Sequence, residues 1–169
     1  MLSVAQLTTL KADILADPIL AAQPNNSDGA FAIAAAYNLP AAVDYWVWRS
    51  LVSQEECVGM TSVDGTNWSW TSYIGRSQGE RDGWREMFAD TGGINPARAN
   101  VRQGLGDIFS GTTALSIAQR AHLLAIARRK ATRAEKLFAT GVGSTASPGT
   151  MTFEGSLSFG DVEAARALP

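Results

Sequence analysis

The sequence predicts a mainly α-helical fold, a compact bundle of about six to seven helices with a C-terminal extended or β-hairpin arm and a short terminal helix. Helix-capping patterns recur along residues 1–140, and prolines or glycines separate one capped segment from the next. Residues 151–159 follow a different pattern, in which apolar and polar side chains alternate as in a half-buried strand. We therefore expect a helical body at 1–140 and an arm at 141–169 within a single domain. The apolar members of the alternation are Met151, Phe153, Leu157 and Phe159.

The predicted helices of the first quarter of the chain begin at caps and end at prolines. A capping box at Ser3–Gln6 predicts the first helix, which Pro18 ends or bends because the residue before a proline avoids the helical conformation. Ser27 or Asp28 is expected to cap a second helix, which ends before Pro40. Proline is favoured in the first turn of a helix, so the following segment AAVDYWVWRSLV is predicted to be a third.

Shorter helices are predicted in the middle of the chain. A second capping box at Ser53–Glu56 predicts a short helix around the cysteine. Residues 67–90 are predicted to form either one interrupted helix or two helices, because three glycines weaken the helical pattern. Thr91-Gly92-Gly93 is predicted to end this segment.

Three further helices are predicted before the arm. Asn95-Pro96 supplies a cap and a first-turn proline for PARANVRQGLGDIF. Ser116–Gln119 is expected to cap IAQRAHLLAIARRK, and Thr132–Glu135 to begin RAEKLFA, which Gly141 ends.

The charge of the chain is strongly segregated, although its net value is only −2. Residues 1–74 carry two basic and seven acidic side chains, a balance of −5, whereas residues 120–136 carry six basic and one acidic, a balance of +5. Three interpretations remain open: acidic and basic faces of identical subunits meet, the basic segment contacts nucleic acid, or the two segments pair within one fold.

The basic segment is the best candidate contact site. Arg129, Arg133 and Lys136 fall at i, i+4 and i+7 and would share one face of a continuous helix. A helix-turn-helix interpretation is weakened because the chain is acidic overall. The candidate residues are Arg128, Arg129, Lys130, Arg133 and Lys136.

Catalytic and metal chemistry find little support in the sequence. Cys57 and His122 are the only cysteine and the only histidine, which argues against a disulfide framework and a Cys/His zinc site. Glu55-Glu56 and the pair Asp82 and Glu86 are interpreted as solvated surface carboxylates, and no nucleophile elbow is present. We expect no enzyme activity and no cofactor. We also expect a cytoplasmic chain without a signal peptide or a membrane span.

Several stretches carry a resemblance to a known family. They are LKADILADP, NSDGAFAIAAAYN, ANVRQGLGDIFSG and especially ATRAEKLFATGVGSTASPGTMTFEGSLSFGDVEAARAL. Together they resemble a group of small structural proteins from the morphogenesis regions of tailed bacteriophages, the head-to-tail connector or adaptor class. The resemblance implies a homo-oligomeric ring, expected to be twelve-fold, that lies beneath the portal protein and links it to downstream neck or tail proteins. It also implies a place at the head–tail junction of the virion, after assembly in the bacterial host cytoplasm.

The sequence therefore predicts a non-enzymatic virion structural subunit. A single apolar-faced strand appended to helices cannot satisfy its own backbone, so the apolar residues of 151–159 are expected to meet a neighbouring subunit or ring. The basic segment is expected to meet acidic residues of an adjacent chain or packaged DNA. Two alternatives remain: another phage structural component, associated with the tail or capsid, and a small DNA-binding regulator.

Overall fold

The structure, a computed structural model, describes residues 1–89 and 92–169. The chain forms two compact units, the first made of residues 1–47 and 130–169 and the second of residues 48–129. The predicted helical body and the predicted C-terminal segment therefore both contribute to the first unit. The predicted stop at Thr91 lies outside the described residues.

Helices account for 53% of the residues, which confirms the mainly α prediction. The described residues contain ten helices, several of which are only one or two turns long. They also contain two small antiparallel sheets of two strands each. No helix among them is long and apolar enough to cross a membrane. The helices are α1 (Val4–Ala16), α2 (Pro18–Ala21), α3 (Ser27–Asn38), α4 (Gln54–Gly59), α5 (Trp70–Ile74), α6 (Gln78–Ala89), α7 (Ala99–Ile108), α8 (Ala114–Ile126), α9 (Arg133–Leu137) and α10 (Phe159–Ala167). The strands are β1 (Trp46–Trp48), β2 (Arg128–Lys130), β3 (Ala139–Thr140) and β4 (Thr150–Met151). Strand β1 pairs with β2, and β3 with β4.

The first unit begins as its sequence predicts. The Ser3 hydroxyl accepts a hydrogen bond from the Gln6 backbone N–H at 3.3 Å, and the Gln6 side chain accepts one from the Ser3 N–H at 2.9 Å. Helix α1 ends before Asp17. The carboxylate of Asp17 caps the start of the next helix, α2. The cap of α3 is Asn26, one residue before the predicted Ser27. Each of these caps satisfies backbone N–H groups that a helix start leaves unpaired.

Helices α1, α3 and α10 contribute most of the buried side chains in the core of the first unit. Apolar side chains of α1 and α3 meet the terminal helix α10, so the C-terminal segment is part of this core. The fully buried members include Leu10, Ile33, Tyr37, Val162 and Ala165.

The segment predicted as a third helix contains strand β1 instead. Val47 is fully buried in it. The Trp46 N–H donates to the Gly143 carbonyl at 2.7 Å, and the Gly149 N–H donates to the Trp46 carbonyl at 2.8 Å. Aromatic and β-branched residues suit an extended, half-buried backbone, and the turn at 143–149 supplies hydrogen bonds that no local pattern reveals.

The second unit confirms one capping box and shifts two helix starts. Ser53–Glu56 begins α4 as predicted. Helix α7 starts at Ala99, three residues after Pro96, because the Asn95 side chain accepts the Ala97 N–H in a turn. Thr113 caps α8 in place of the predicted Ser116. The core of this unit joins aromatic and aliphatic side chains of α4, α6, α7 and α8.

A hairpin and a helix follow α9. Strands β3 and β4 are antiparallel, with Ala139 opposite Met151 and Thr140 opposite Thr150. The extended pattern predicted through residue 159 is interrupted at Gly155, whose φ of +116° is one that other residues rarely adopt. A capping box of Ser158 and Asp161 then begins α10.

Candidate functional site

The basic segment does not form one helical face, which corrects the predicted arrangement. Helix α8 ends at Ile126, residues 128–130 form β2, and a new helix begins at Arg133. The Ala131 N–H donates to the Tyr45 carbonyl at 2.8 Å, so tertiary hydrogen bonding replaces the helical continuation. Arg129, in β2, is half-buried, and it does not share a continuous helix with Arg133 and Lys136.

Three of these cations, Arg128, Lys130 and Arg133, pair with carboxylates from the acidic part of the chain. In the second unit, the Arg128 guanidinium forms an ion pair with Asp64 and is mostly buried. In the first unit, the Lys130 ammonium lies 2.8 Å from an Asp44 carboxylate oxygen, with both side chains about half exposed. The exposed pair contributes little to stability, because water and salt screen it.

Arg133 forms ion pairs with two carboxylates. Its guanidinium donates to Asp13 at 3.0 Å and to Asp17 at 2.9 Å, and it lies 4.5 Å from the centre of the Tyr37 ring. The Tyr37 hydroxyl donates to Asp13 at 2.5 Å. Burial, followed by this bond to a carboxylate, raises the pKa of Tyr37. Lys136, one turn along α9, lies with its ammonium 5.9 Å from the Tyr45 ring.

The structure thus shows one of the three open interpretations of the charge segregation, pairing within the fold. Arg128, Lys130 and Arg133 all bind aspartates from the first 64 residues. Their charges are largely neutralised by the chain itself, which leaves less positive potential for a nucleic acid.

Replacing Asp17 by asparagine should remove a pH-dependent part of the stability. The hydrogen bond from Arg133 holds the pKa of Asp17 below its ordinary value. A lowered carboxyl pKa adds stability that is present above the unfolded-state value of about 3.9 and is lost as pH falls through the folded-state value. Asparagine keeps the capping oxygen for α2. In urea titrations the native chain should therefore have a higher unfolding free energy than Asp17→Asn at pH 7. This difference should shrink below about pH 4.

The matched control is Asp44→Asn, which breaks the exposed pair with Lys130. It should change the unfolding free energy less than Asp17→Asn at pH 7. A gap between native and Asp17→Asn that stays constant from about pH 6 to 2.5 would contradict the role given to Arg133.

The four apolar residues predicted as one strand face are distributed differently. Leu157 is buried in the core of the first unit, and Phe153 packs edge-on against Phe138 at 5.5 Å between ring centres. Met151 is half-buried in β4. Phe159 is 41% exposed and stacks at 4.4 Å on Phe31, which is 56% exposed. Of the four, only Phe159 is an exposed large apolar side chain.

Two helices have outer faces without charge, a feature that the sequence analysis missed. The only charged residues of α1 are Lys11 and Asp13, and both turn to partners of their own chain: Lys11 donates to the Leu168 carbonyl and Asp13 binds Arg133. The charged residue of α8, Arg120, caps the carbonyls of Phe109 and Gly111. The exposed residues of α1 include Val4, Ala5, Thr8, Ala12 and Leu15. Those of α8 are Ala114, Leu115, Ile117, Ala118 and Ala121.

Helix α6 provides the contrast within the same chain. Its outer face exposes Asp82, Arg85 and Glu86, the pattern of a helix in contact with water. The sequence carries a signal for these uncharged faces, because α1 and α8 together contain only three Asp, Glu, Lys or Arg residues. The missing information was the orientation of those charges.

The imidazole of His122 contacts the backbone carbonyl of Cys57. The His122 Nε2 atom lies 2.8 Å from the Cys57 backbone carbonyl oxygen, while Nδ1 faces Thr66. Burial raises the pKa of the Cys57 thiol to about 12, which keeps it protonated at neutral pH. Within residues 1–89 and 92–169, no group of three or more His, Cys, Asp or Glu side chains could hold a metal ion.

Comparison of the chain with protein-family models, with curated proteins and with solved structures gives no match.

Proposed function

We propose that this protein is a non-enzymatic structural subunit of a tailed-phage virion, a head-to-tail connector or adaptor that forms a ring beneath the portal and links it to the tail. The observation that carries the proposal is the distribution of charge. The chain neutralises much of its basic segment internally, yet leaves the outer faces of α1 and α8 uncharged and partly aliphatic. Surfaces of this kind suit contact with other proteins.

The resemblance of the C-terminal block to connector proteins supports the same function. It supplies the expected partners, which are further copies of the chain, the portal protein and downstream neck or tail proteins, and the expected twelve-fold ring at the head–tail junction. The exposed pair of Phe31 and Phe159 lies inside the resembling stretches and offers an aromatic anchor for one of these contacts.

The DNA-binding regulator is the less favoured alternative. Non-specific DNA binding needs lysine or arginine side chains that can reach phosphates. Arg128, Lys130 and Arg133 instead contact aspartates of their own chain. A tail- or capsid-associated structural role uses the same surfaces and differs only in the partner.

The deciding experiment measures particle mass and symmetry by electron microscopy and mass photometry, with the chain alone and mixed with the portal protein of the same phage. We expect closed rings, either free or on the portal, and no binding to duplex DNA at physiological salt. A chain that stays monomeric and binds no head, neck or tail component would contradict the proposal. Salt-dependent DNA binding by a monomer or dimer would favour the regulator, and binding to tail or capsid proteins alone would favour the other structural role.

A further inference from the structure

We propose that the outer face of α1 in one copy of the chain packs against the outer face of α8 in the next copy. The inference rests on the proposed ring and names the contact that builds it. Val4 and Leu15 are 70% and 64% exposed on α1, and Leu115 and Ile117 are about half exposed on α8. Burying aliphatic side chains of this size is the main source of stability in such contacts.

The chemistry of the two faces limits what can cover them. Nucleic acids and anionic membrane surfaces require lysine or arginine at the contact, and neither outer face presents one. An acidic or basic protein surface would lose hydration against these residues without gaining an ion pair. The suitable occupant is another uncharged helix. A second copy of the chain supplies one, because each copy carries two such faces.

Small residues on both helices permit a close approach. Ala5 and Ala12 on α1, and Ala114, Ala118 and Ala121 on α8, are exposed beside the larger aliphatic side chains. Helices with small residues at the contact can pack with axes near the short end of the usual range of about 8–10 Å. The aliphatic side chains of one helix can then lie beside the alanines of the other.

Contact size favours a ring over an isolated dimer. Each helix has 13 residues. It is therefore about 20 Å long, and its face covers about 200 Å². Stable protein pairs bury about 800 Å² on each partner, so one pair of these helices would hold a dimer weakly. A contact between two different faces repeats around a closed ring, where every copy is held twice.

Charge substitutions at the two face centres test the contact. Ala12→Lys and Ala118→Glu each place a charge in the proposed interface, and each should raise the concentration needed for half-maximal assembly by about tenfold or more. The chain that carries both substitutions should assemble again, because the ammonium introduced on α1 then faces the carboxylate introduced on α8 of the next copy. An equimolar mixture of the two single variants should assemble as well, with the two chains alternating around the ring.

The control is Ala89→Lys, which adds a charge at an exposed position of α6 and should leave assembly unchanged. Circular dichroism of dilute samples verifies that every variant folds. If the native chain assembles but the single variants match Ala89→Lys, the α1–α8 contact is wrong while the connector function stands. If the single variants fail to assemble and the double variant does not restore assembly, the α1–α8 contact is also wrong. In that case either two copies of the same face meet or another partner covers them. A native chain that never assembles overturns both.

Discussion

Replacing Trp84 with alanine is expected to lower the unfolding free energy by about 3–5 kcal/mol, as for other large aromatic residues truncated in a core. Trp84 on α6 is 1% exposed. Its ring centre lies 5.0 Å from that of Trp68, 4.8 Å from Phe88 and 5.9 Å from Phe109. Alanine would leave a cavity among these three rings, and close packing with the rest of the core limits how far they can close around it. Urea unfolding followed by far-ultraviolet circular dichroism measures the change.

Trp70→Ala is the matched control, because Trp70 belongs to the same aromatic group but is 57% exposed. It should lower the unfolding free energy by about 1 kcal/mol, because only exposed edge-to-face contacts with Trp68 and Tyr73 are lost. Equal urea midpoints for Trp84→Ala and Trp70→Ala would contradict the assignment of Trp84 to the core of the second unit.

Replacing Gly143 with alanine is expected to lower the unfolding free energy by about 2–4 kcal/mol, from backbone strain and overpacking together. Gly143 has a φ of +71°, and an added Cβ would lie 2.1–2.5 Å from three carbons of the Tyr45 ring. The ring cannot move freely, because its hydroxyl donates to the Gly141 carbonyl at 2.9 Å. The substitution should therefore loosen the turn at 143–149 that supplies hydrogen bonds to β1.

Gly65→Ala is the control that measures backbone strain without a steric clash. Gly65 has a similar φ of +76°, but an added Cβ would meet no atom within 4 Å. This variant should lose only the strain, about 1–2 kcal/mol. A loss for Gly143→Ala no greater than that for Gly65→Ala in the same urea titration would show that Tyr45 yields, contrary to the packing described.

Local signals in the sequence predicted the starts of several helices correctly. The capping boxes at Ser3, Ser53 and Thr132 all form, because the donor and acceptor lie three residues apart and need no distant partner. The prediction was wrong for β1. Trp46–Trp48 follows a first-turn proline pattern, but its backbone pairs with the turn at 143–149, about a hundred residues away.

The candidate site depended more strongly on long-range contacts. The sequence established the segregation of charge and left three partners open for the basic residues. Arg133 meets Asp13 and Asp17, which precede it by more than a hundred residues, and that pairing was one of three options that the sequence left open. The same applies to the uncharged faces of α1 and α8, which exist only because Lys11, Asp13 and Arg120 turn toward their own chain.

The sequence by itself determined the helical class and the capping boxes at Ser3, Ser53 and Thr132, since these depend on residue type and short spacing. Tertiary structure alone decided that Leu157 lies in a core while Phe159 remains exposed, and that the basic segment splits between β2 and α9. The physical reason is the range of the interactions. Helix capping acts within one turn, whereas burial and ion pairing depend on which distant segments the fold brings together.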